Sequence, residues 1–143
     1  PKAPDPEADM GHHQFTYSLF PHAGSPQEGG VIEEAYWLNN PPRTLLLPAG
    51  KSAGQDTEGK FFWVDRDGVI IEAVKKAEDE EAIVVRLYEA YHSRGEVTVT
   101  TSLPVREAVL CDLLERDLQP LPLENGSFTV QIRPFEVVTV KLR

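Results

Sequence analysis

The stretch SFTVQIRPFEVVTVKL (residues 127–142) consists of two short runs in which apolar and polar residues alternate. The apolar positions of the first run are Phe128, Val130 and Ile132, and the second run repeats the pattern. A period of two residues is typical of a strand that buries one face. Proline lacks the N–H that pairing requires, so Pro134 is expected at a bend or an edge between two strands.

Upstream of this stretch, segments with strand character recur at intervals of about ten residues. AIVVRLYEAY (residues 82–91) and VTVTTS (residues 97–102) are both predicted strands, and Val97 and Val99 are expected on one face. VREAVLCDLLE (residues 105–115) has a helical composition, but it lies between strands and follows a proline, which favours a strand. Strands at this spacing with turns between them predict an antiparallel β-sandwich.

The dipeptide Asp67-Gly68 joins two further apolar runs, FFWV (residues 61–64) and VIIEAV (residues 69–74). Glycine accepts a positive φ without penalty, and an Asp-Gly turn between apolar runs is a strong hairpin signal. The sequence therefore predicts that these two runs pair with each other as a hairpin.

One helix is predicted, near residues 26–39. Ser25 and Glu28 have the spacing of a capping box, and Pro26 falls at the first helical position. Apolar side chains three and four residues apart share one face of this helix, namely Val31, Ile32, Ala35 and Leu38.

Two stretches that flank the helix also have strand character. Before it, Phe15, Tyr17 and Leu19 lie at alternate positions. Pro21 closes that run. After the helix, RTLLLP (residues 43–48) is predicted to be a short buried strand. The predicted fold is therefore all-β, an antiparallel β-sandwich with one short helix.

Length and composition restrict the organisation and the partners of the chain. Its 143 residues suit a single domain (residues 1–143), with an extended N-terminal arm over residues 1–13 and a flexible loop over residues 48–60. Because the sequence opens with Pro1, we expect a piece of a longer polypeptide. A formal net charge of −9 without a basic stripe disfavours nucleic acid and membrane surfaces as partners. The lone Cys111, expected to be buried, suits a reducing compartment, and the chain is expected in the cytoplasm.

Several longer motifs resemble one known family. DMGHHQFTYSLFPHAGSPQEGGVIEEAYWLNNP (residues 9–41) is similar to part of the C-terminal β-sandwich region of family-38 glycoside hydrolases, the α-mannosidases, in the cytosolic and microbial branch. Shorter motifs resemble the same region in the same order: VKKAED, VVRLYEAY, CDLLE and RPFEVVTVKL. The resemblance implies a sandwich of the galactose-mutarotase-like, or super-sandwich, type.

The resemblance also implies where the chemistry lies. In this family of retaining α-mannosidases, the nucleophile, the acid/base residue and the zinc ligands are expected in an N-terminal catalytic barrel. The chain would then be a C-terminal β-domain without catalytic residues or a metal of its own, and it would support the barrel and form part of the substrate-pocket wall. The implied partners are that barrel and a mannose-containing oligosaccharide, and a homo-oligomer would also fit. The competing interpretations are a free-standing carbohydrate-binding module and a plain interaction sandwich.

The N-terminal motif offers candidate site residues. Metal-compatible side chains are present at Asp9, His12, His13 and His22. Adjacent His12 and His13 would project to opposite sides of a strand, which disfavours a metal site. In a second interpretation, His13 and His22 cap the ends of the strand. In a third, taken from the resemblance, Asp9, Gly11 and His13 face the sugar pocket of the intact enzyme.

Aromatic residues supply a second set of candidates. The flat rings of Trp37, Trp63 and Tyr91 could stack on the C–H face of a pyranose, although such rings more often belong to a core or an interface. These three residues are therefore the predicted sugar-stacking positions.

The carboxylates on the predicted strands show no pair with the arrangement that acid/base catalysis requires. We interpret them as solvated groups or partners in ion pairs between strands. Lys76 with Glu78, and Arg86 with Glu89, are expected to link strands as ion pairs or to face the missing barrel.

Overall fold

The computed structural model describes residues 10–46 and 59–143. They divide into two compact units, a smaller unit that ends at Arg43 and a larger unit that begins at Thr44. No helix within these described ranges is long and apolar enough to cross a membrane.

Two predictions concern segments that fall mainly outside the described residues. The N-terminal arm was expected over residues 1–13, of which 1–9 are outside, and Asp9 is one of these. The loop was expected over residues 48–60, of which 48–58 are outside. Both stay predictions.

The larger unit consists of strands arranged in two antiparallel sheets. Within the described residues the strands are β1 Phe62–Val64, β2 Val69–Lys76, β3 Ile83–Glu89, β4 Gly95–Thr101, β5 Ala108–Cys111, β6 Asp117–Leu121, β7 Leu123–Glu124, β8 Ser127–Ile132 and β9 Val137–Leu142. One sheet has the order β1-β4-β8-β7, and the other has the order β2-β3-β9-β5-β6. This architecture confirms the predicted all-β sandwich.

The core lies between the two sheets, and the alternating strands supply it. Phe128, Val130 and Ile132 of β8 are buried, as their alternation predicted. Val97 and Val99 of β4 join the same cluster. The other buried members come from β2, β3, β5 and β9, namely Val69, Val85, Leu87, Ala108, Val138, Val140 and Leu142. Each valine, leucine, isoleucine or phenylalanine buried here stabilises the fold by about 1.5 to 3 kcal/mol.

Pro134 lies in the turn between β8 and β9, and this turn carries the chain from one sheet to the other. The predicted bend is therefore confirmed. The next residue, Phe135, has a φ of 58°, a conformation that bulky residues rarely adopt.

The strand predicted within residues 105–115 is confirmed as β5, but it spans only Ala108–Cys111. Cys111 is buried, as expected. The chain then leaves the sheet because the Asp112 carboxylate accepts hydrogen bonds from the backbone N–H groups of Leu114 and Arg116, both at 2.9 Å. Backbone N–H groups that donate to a side-chain carboxylate in a turn are not available for pairing with a neighbouring strand.

The predicted hairpin around Asp67-Gly68 is wrong. The turn itself exists, and Gly68 has a φ of 77°. However, β1 pairs with β4 and β2 pairs with β3, so the strands on either side of the turn belong to different sheets. An Asp-Gly signal describes only the local backbone, whereas the choice of partner strand depends on which apolar faces must be buried.

The helix α1 spans Val31–Asn39 and so begins about five residues later than predicted. The capping box forms, since the Ser25 N–H donates to Glu28 Oε2 at 2.8 Å and the Glu28 N–H donates to Ser25 Oγ at 3.2 Å. It closes a preceding turn instead of the helix, because Gly30 adopts a left-handed φ of 71° between the two.

Two predicted strands are absent from the described structure. Residues 12–20 have an extended sequence pattern but are not paired in any described sheet, and their side chains are exposed. Residues 43–46 are also exposed and unpaired in the described sheets, and the rest of that predicted strand lies outside the described residues. A strand is stable only with a neighbour to satisfy its backbone groups, and alternation in the sequence does not supply one.

Candidate functional site

Three turns meet at one end of the larger unit and form a cluster rich in polar and aromatic groups. They are residues 65–68, between β1 and β2, residues 90–94, between β3 and β4, and residues 133–136, between β8 and β9. We call these residues the turn cluster. The Ala90 N–H donates to the Gly68 carbonyl at 2.7 Å, which joins the first turn to the second.

Glu89, the last residue of β3, holds the turn cluster together from inside. Its side chain is fully buried. Oε1 accepts hydrogen bonds from the Tyr91 N–H at 2.9 Å and from the Ser93 N–H and Oγ at 2.9 and 2.7 Å. Oε2 accepts the N–H of Phe135 at 3.0 Å. One carboxylate therefore fixes two turns that arise from different sheets.

The same hydrogen bonds keep Glu89 ionised. Burial by itself raises the pKa of a carboxyl group because it penalises the charged form. Here the hydrogen bonds from the Phe135 N–H and from Ser93 outweigh burial and lower the pKa of Glu89 to about 2. Glu89 is therefore a fixed acceptor and not a proton donor at neutral pH.

Arg66 makes a second connection within the turn cluster. Its Nη2 donates to Ser93 Oγ at 3.1 Å and to the Arg94 carbonyl at 2.8 Å. Ser93 thus contacts both Glu89 and Arg66. These contacts hold the first and second turns in one arrangement.

On the outer side of the turn cluster, the rings of His92 and Phe135 stack with their centroids 5.2 Å apart. Both residues have left-handed backbone conformations, with φ values of 57° and 58°. Such conformations cost about 1 to 3 kcal/mol in residues other than glycine, and they persist where surrounding contacts over-determine them. The Glu89 hydrogen bonds supply that constraint for Phe135.

The three predicted sugar-stacking residues lie in different settings. Trp37 is exposed on α1, in the smaller unit. Trp63 on β1 is 40% exposed and lies opposite Thr100 of β4. Tyr91 is half-buried, and its ring packs so closely on Gly68 that a Cβ there would lie 2.5 Å from Tyr91 Cγ. Trp37 lies in the smaller unit and Trp63 and Tyr91 lie in the larger unit, and their role in sugar stacking stays a prediction.

The surroundings of Trp63 are polar. It belongs to the outer face of the four-stranded sheet, where residues of β4 and β8 face each other in pairs. Thr100 Oγ1 and Ser127 Oγ lie 3.0 Å apart, and Gln131 Nε2 donates to Glu96 Oε2 at 3.1 Å. This face combines one accessible indole ring with a row of hydroxyl, amide and carboxylate groups.

The predicted pocket-facing residues belong to the smaller unit. Gly11 and His13 are exposed, and Asp9 is outside the described residues. The described structure has no strand between His13 and His22, and their interpretation as caps of a strand stays a prediction. His22 Nδ1 lies 3.4 Å from the Ala23 carbonyl oxygen.

Within the described ranges, no three His, Cys, Asp or Glu side chains converge closely enough to hold a metal ion. These residues therefore do not fit a zinc site, which requires several donors in a tetrahedral arrangement.

A network of ion pairs lies on the five-stranded sheet. Lys141 Nζ on β9 contacts Glu80 at 2.7 Å and Asp117 at 2.9 Å. Arg143 binds the same two carboxylates and also Glu107. Hydrogen bonds from Arg143 and then Lys141 lower the pKa values of Glu80 and Asp117 to about 2.

The ion pairs expected from the sequence are wrong in detail. Lys76 pairs with Glu81 at 2.6 Å, while its neighbour Lys75 pairs with Glu78 and Glu115. Arg86 donates to Thr139 Oγ1 and to the Leu113 carbonyl, and Glu89 binds the turn cluster instead. Alternation assigns side chains to faces of a sheet, but it does not identify the loop that covers each face.

Sequence reasoning missed the turn cluster. The sequence does contain one indication of it. Glu89 lies two residues after Leu87 and four after Val85, so the alternation of β3 directs its carboxylate toward the core. A buried charge needs several hydrogen-bond donors, which the turns provide.

Comparison with known proteins agrees with this architecture. A family model described as the glycosyl hydrolases family 38 C-terminal beta sandwich domain matches residues 68–140. Alpha-mannosidase 2C1 of Mus musculus is 48% identical, and that of Homo sapiens is 45% identical, over 147 aligned residues. Alpha-mannosidase G of Dictyostelium discoideum is 35% identical over 144 residues. These alignments cover 99% of this chain but only 13 to 14% of each relative.

Proposed function

The chain belongs to glycoside hydrolase family 38, and from this we propose that it acts as the non-catalytic C-terminal β-domain of a retaining, zinc-dependent α-mannosidase. The whole enzyme would hydrolyse terminal α-mannosyl residues of oligosaccharides in the cytoplasm. The β-domain supports the catalytic barrel of the same polypeptide and contributes to a wall of the substrate pocket. The names of its relatives support the activity of the whole protein.

The observation that carries the non-catalytic role is that a set of described acidic side chains is engaged in hydrogen bonds and ion pairs within the domain's own structure. Seven carboxyl groups in the described residues have pKa values below the ordinary range, and each accepts hydrogen bonds or forms an ion pair inside the domain: Glu28, Asp65, Glu80, Glu89, Asp112, Glu115 and Asp117. A glycosidase requires a carboxyl group with a raised pKa as its general acid. A lowered pKa suits a structural acceptor.

The test compares the isolated 143-residue chain with the intact enzyme on an aryl α-mannoside. We expect the enzyme to release the aryl group, to lose activity with a chelator and to regain it with zinc. The isolated chain should be inactive while still unfolding cooperatively on heating, which shows that it is folded. Release of the aryl group by the isolated chain would refute the proposal.

A carbohydrate-binding function is a second candidate, because Trp63 is accessible beside the hydroxyl groups of Thr100 and Ser127. An aromatic ring with adjacent polar groups is suited to the apolar and polar faces of a sugar. Titration of mannobiose into the isolated chain, followed by tryptophan fluorescence, tests it. A signal that saturates below millimolar concentrations, survives Trp37→Phe and disappears with Trp63→Phe would support this function. No saturable signal at all would exclude it.

A further inference from the structure

Residues 14–20 of the smaller unit expose an apolar face that a folded protein normally buries. Phe15, Tyr17 and Leu19 are 80%, 85% and 90% exposed. Burial of each of them would stabilise the protein, because it would remove apolar surface from water. Three large apolar side chains at alternate positions form a continuous stripe, and such stripes mark surfaces that contact other protein.

The opposite face of the same segment is partly covered. Ser18 and Phe20 line a cavity of about 380 Å³ together with α1 residues, which include Val31 and Trp37. Phe20 is only half as exposed as Leu19. Ser18 and Phe20 therefore face the helix, whereas Phe15, Tyr17 and Leu19 do not line this cavity. A strand covered by a helix on one side normally belongs to a sheet whose other side packs on a core.

The segment also lacks the features that protect an exposed strand. Residues 14–21 contain no charged side chain, although the chain as a whole has 37 residues that are Lys, Arg, Asp or Glu (14 plus 23). Natural proteins place charges or bulges on open strand edges to prevent pairing with other molecules. An uncharged segment of alternating aromatic residues is therefore suited to a position with neighbours on its edges.

We propose that, in the intact polypeptide, residues 14–20 form a strand of a β-sheet whose neighbouring strands come from the part of the enzyme that precedes this chain. Phe15, Tyr17 and Leu19 then enter the core of that sheet, and α1 covers its other face. This inference rests on the proposed function, which makes the chain one part of a longer mannosidase. The preceding part of the enzyme is the expected source of the neighbouring strands because the chain corresponds to only 13 to 14% of the length of its relatives.

In this arrangement, backbone hydrogen bonds would hold residues 14–20 to the neighbouring strands. The alternate side chains would fix the register of the pairing. The smaller unit would then fold as part of the preceding sheet. It would join two parts of the enzyme through main-chain pairing and not only through side-chain contacts.

Hydrogen exchange of the backbone amides, followed by mass spectrometry, tests the proposal directly. In the intact enzyme we expect amides of residues 14–20 to exchange at least 100-fold more slowly than in the isolated chain, where they should exchange at rates close to those of an unfolded peptide. Fast exchange in the intact enzyme would refute the proposal. Equal protection in the isolated monomeric chain would also refute it, because the neighbouring strands would then lie within this chain.

The neighbouring strands could instead come from a second copy of the chain. The dependence of protection on protein concentration distinguishes these two sources. If protection in the intact enzyme disappears on dilution to a monomer, the neighbour is a second copy and the proposal is wrong. Protection that persists in monomeric enzyme supports it. These outcomes do not depend on mannosidase activity, so failure of this inference is distinguishable from failure of the proposed function.

Substitutions add an independent measurement. Tyr17→Asp should reduce the yield of folded intact enzyme at least tenfold, but leave the unfolding midpoint of the isolated chain unchanged, because Tyr17 is exposed there. Leu118→Asp is the matched control, since Leu118 is also an exposed apolar residue and lies on an edge strand of the larger unit. If Tyr17→Asp and Leu118→Asp affect the intact enzyme equally, Tyr17 does not occupy a core and the proposal fails.

Discussion

The N–H of Phe135 donates a hydrogen bond to Glu89 Oε2 across 3.0 Å and joins the turn between the two sheets to the end of β3. Glu89 uses its other oxygen to fix the turn that leads to β4. The two layers of the sandwich are therefore connected at this end through one buried carboxylate, and not only through contacts between their apolar faces.

Replacement of Glu89 by glutamine should destabilise the domain by about 2 to 4 kcal/mol, because the amide group turns one acceptor into a donor that faces backbone N–H groups. Urea unfolding of the isolated chain measures the effect. Glu124→Gln is the matched control, since Glu124 is exposed on β7, and its free energy of unfolding should change by less than about 0.5 kcal/mol. Equal effects of the two substitutions would contradict the role of Glu89.

Acid should destabilise the domain in a range that the carboxylate pKa values define. The pKa of Glu89 falls from an ordinary value of 4.5 to about 2 in the folded state. The folded state therefore binds this proton less readily than the unfolded state, so the contribution of Glu89 is complete above about pH 4.5 and is lost as the pH falls toward 2. Unfolding midpoints between pH 6 and pH 2.5 should decline less steeply for Glu89→Gln than for the original chain. Parallel curves would show that Glu89 is not responsible.

Gly68→Ala should destabilise the domain by about 2 to 4 kcal/mol for two reasons, a φ of 77° and a Cβ placed 2.5 Å from the Tyr91 ring. The measurement is the thermal unfolding midpoint. Gly59→Ala is a suitable control, because nothing lies within 4 Å of the added Cβ. In the double variant Gly68→Ala/Tyr91→Ala, part of the loss should be recovered, since the steric conflict is removed but the backbone strain remains.

Lys141→Met should destabilise the domain by about 1 to 2 kcal/mol, because it removes a buried cation from between Glu80 and Asp117. The cost stays below that of a fully buried pair, since both carboxylates keep contact with water and with Arg143. Lys76→Met provides the comparison, as Lys76 and Glu81 form an exposed pair that should contribute less than about 0.5 kcal/mol. Chemical denaturation of both variants distinguishes the two kinds of pair.

Cys111 should react slowly with a thiol reagent in the folded chain, because burial excludes the reagent and raises the pKa of the thiol. The reaction rate should increase at least 100-fold in denaturant. If the rates in the folded and unfolded chains are similar, β5 opens far more often than a central part of the sandwich would.

The sequence predicts a strand correctly where its apolar and polar residues alternate and neighbouring strands are also present to pair with it. The runs around Phe128 and Val140 alternate and become the buried strands β8 and β9. The run around Tyr17 alternates equally well, yet it is not paired in the described structure. Alternation reports that a segment is able to bury one face, and whether it does so depends on a partner that local sequence does not encode.

Turn signals were reliable for local conformation but not for topology. Gly68 adopts the positive φ that its Asp-Gly context predicted, but the turn changes sheets. The turn cluster was not predictable from any motif, because its members Arg66, Glu89 and Phe135 are separated in sequence and meet only after both sheets form. Residue type alone makes Trp37 and Trp63 candidates for sugar stacking, and residue type does not determine which surface a ring occupies.

The position of β9 has a consequence for synthesis of the protein. Val137–Leu142 pairs with β3 on one side and with β5 on the other, so it is the central strand of its sheet. While the ribosome is still translating the preceding residues, the ribbons β2-β3 and β5-β6 each have an open edge that β9 pairs with in the described sheet. The sandwich can therefore close only after residue 142 has left the exit tunnel. A nascent chain truncated within β9 should present two open edges, and such edges are typical sites for chaperone binding and aggregation.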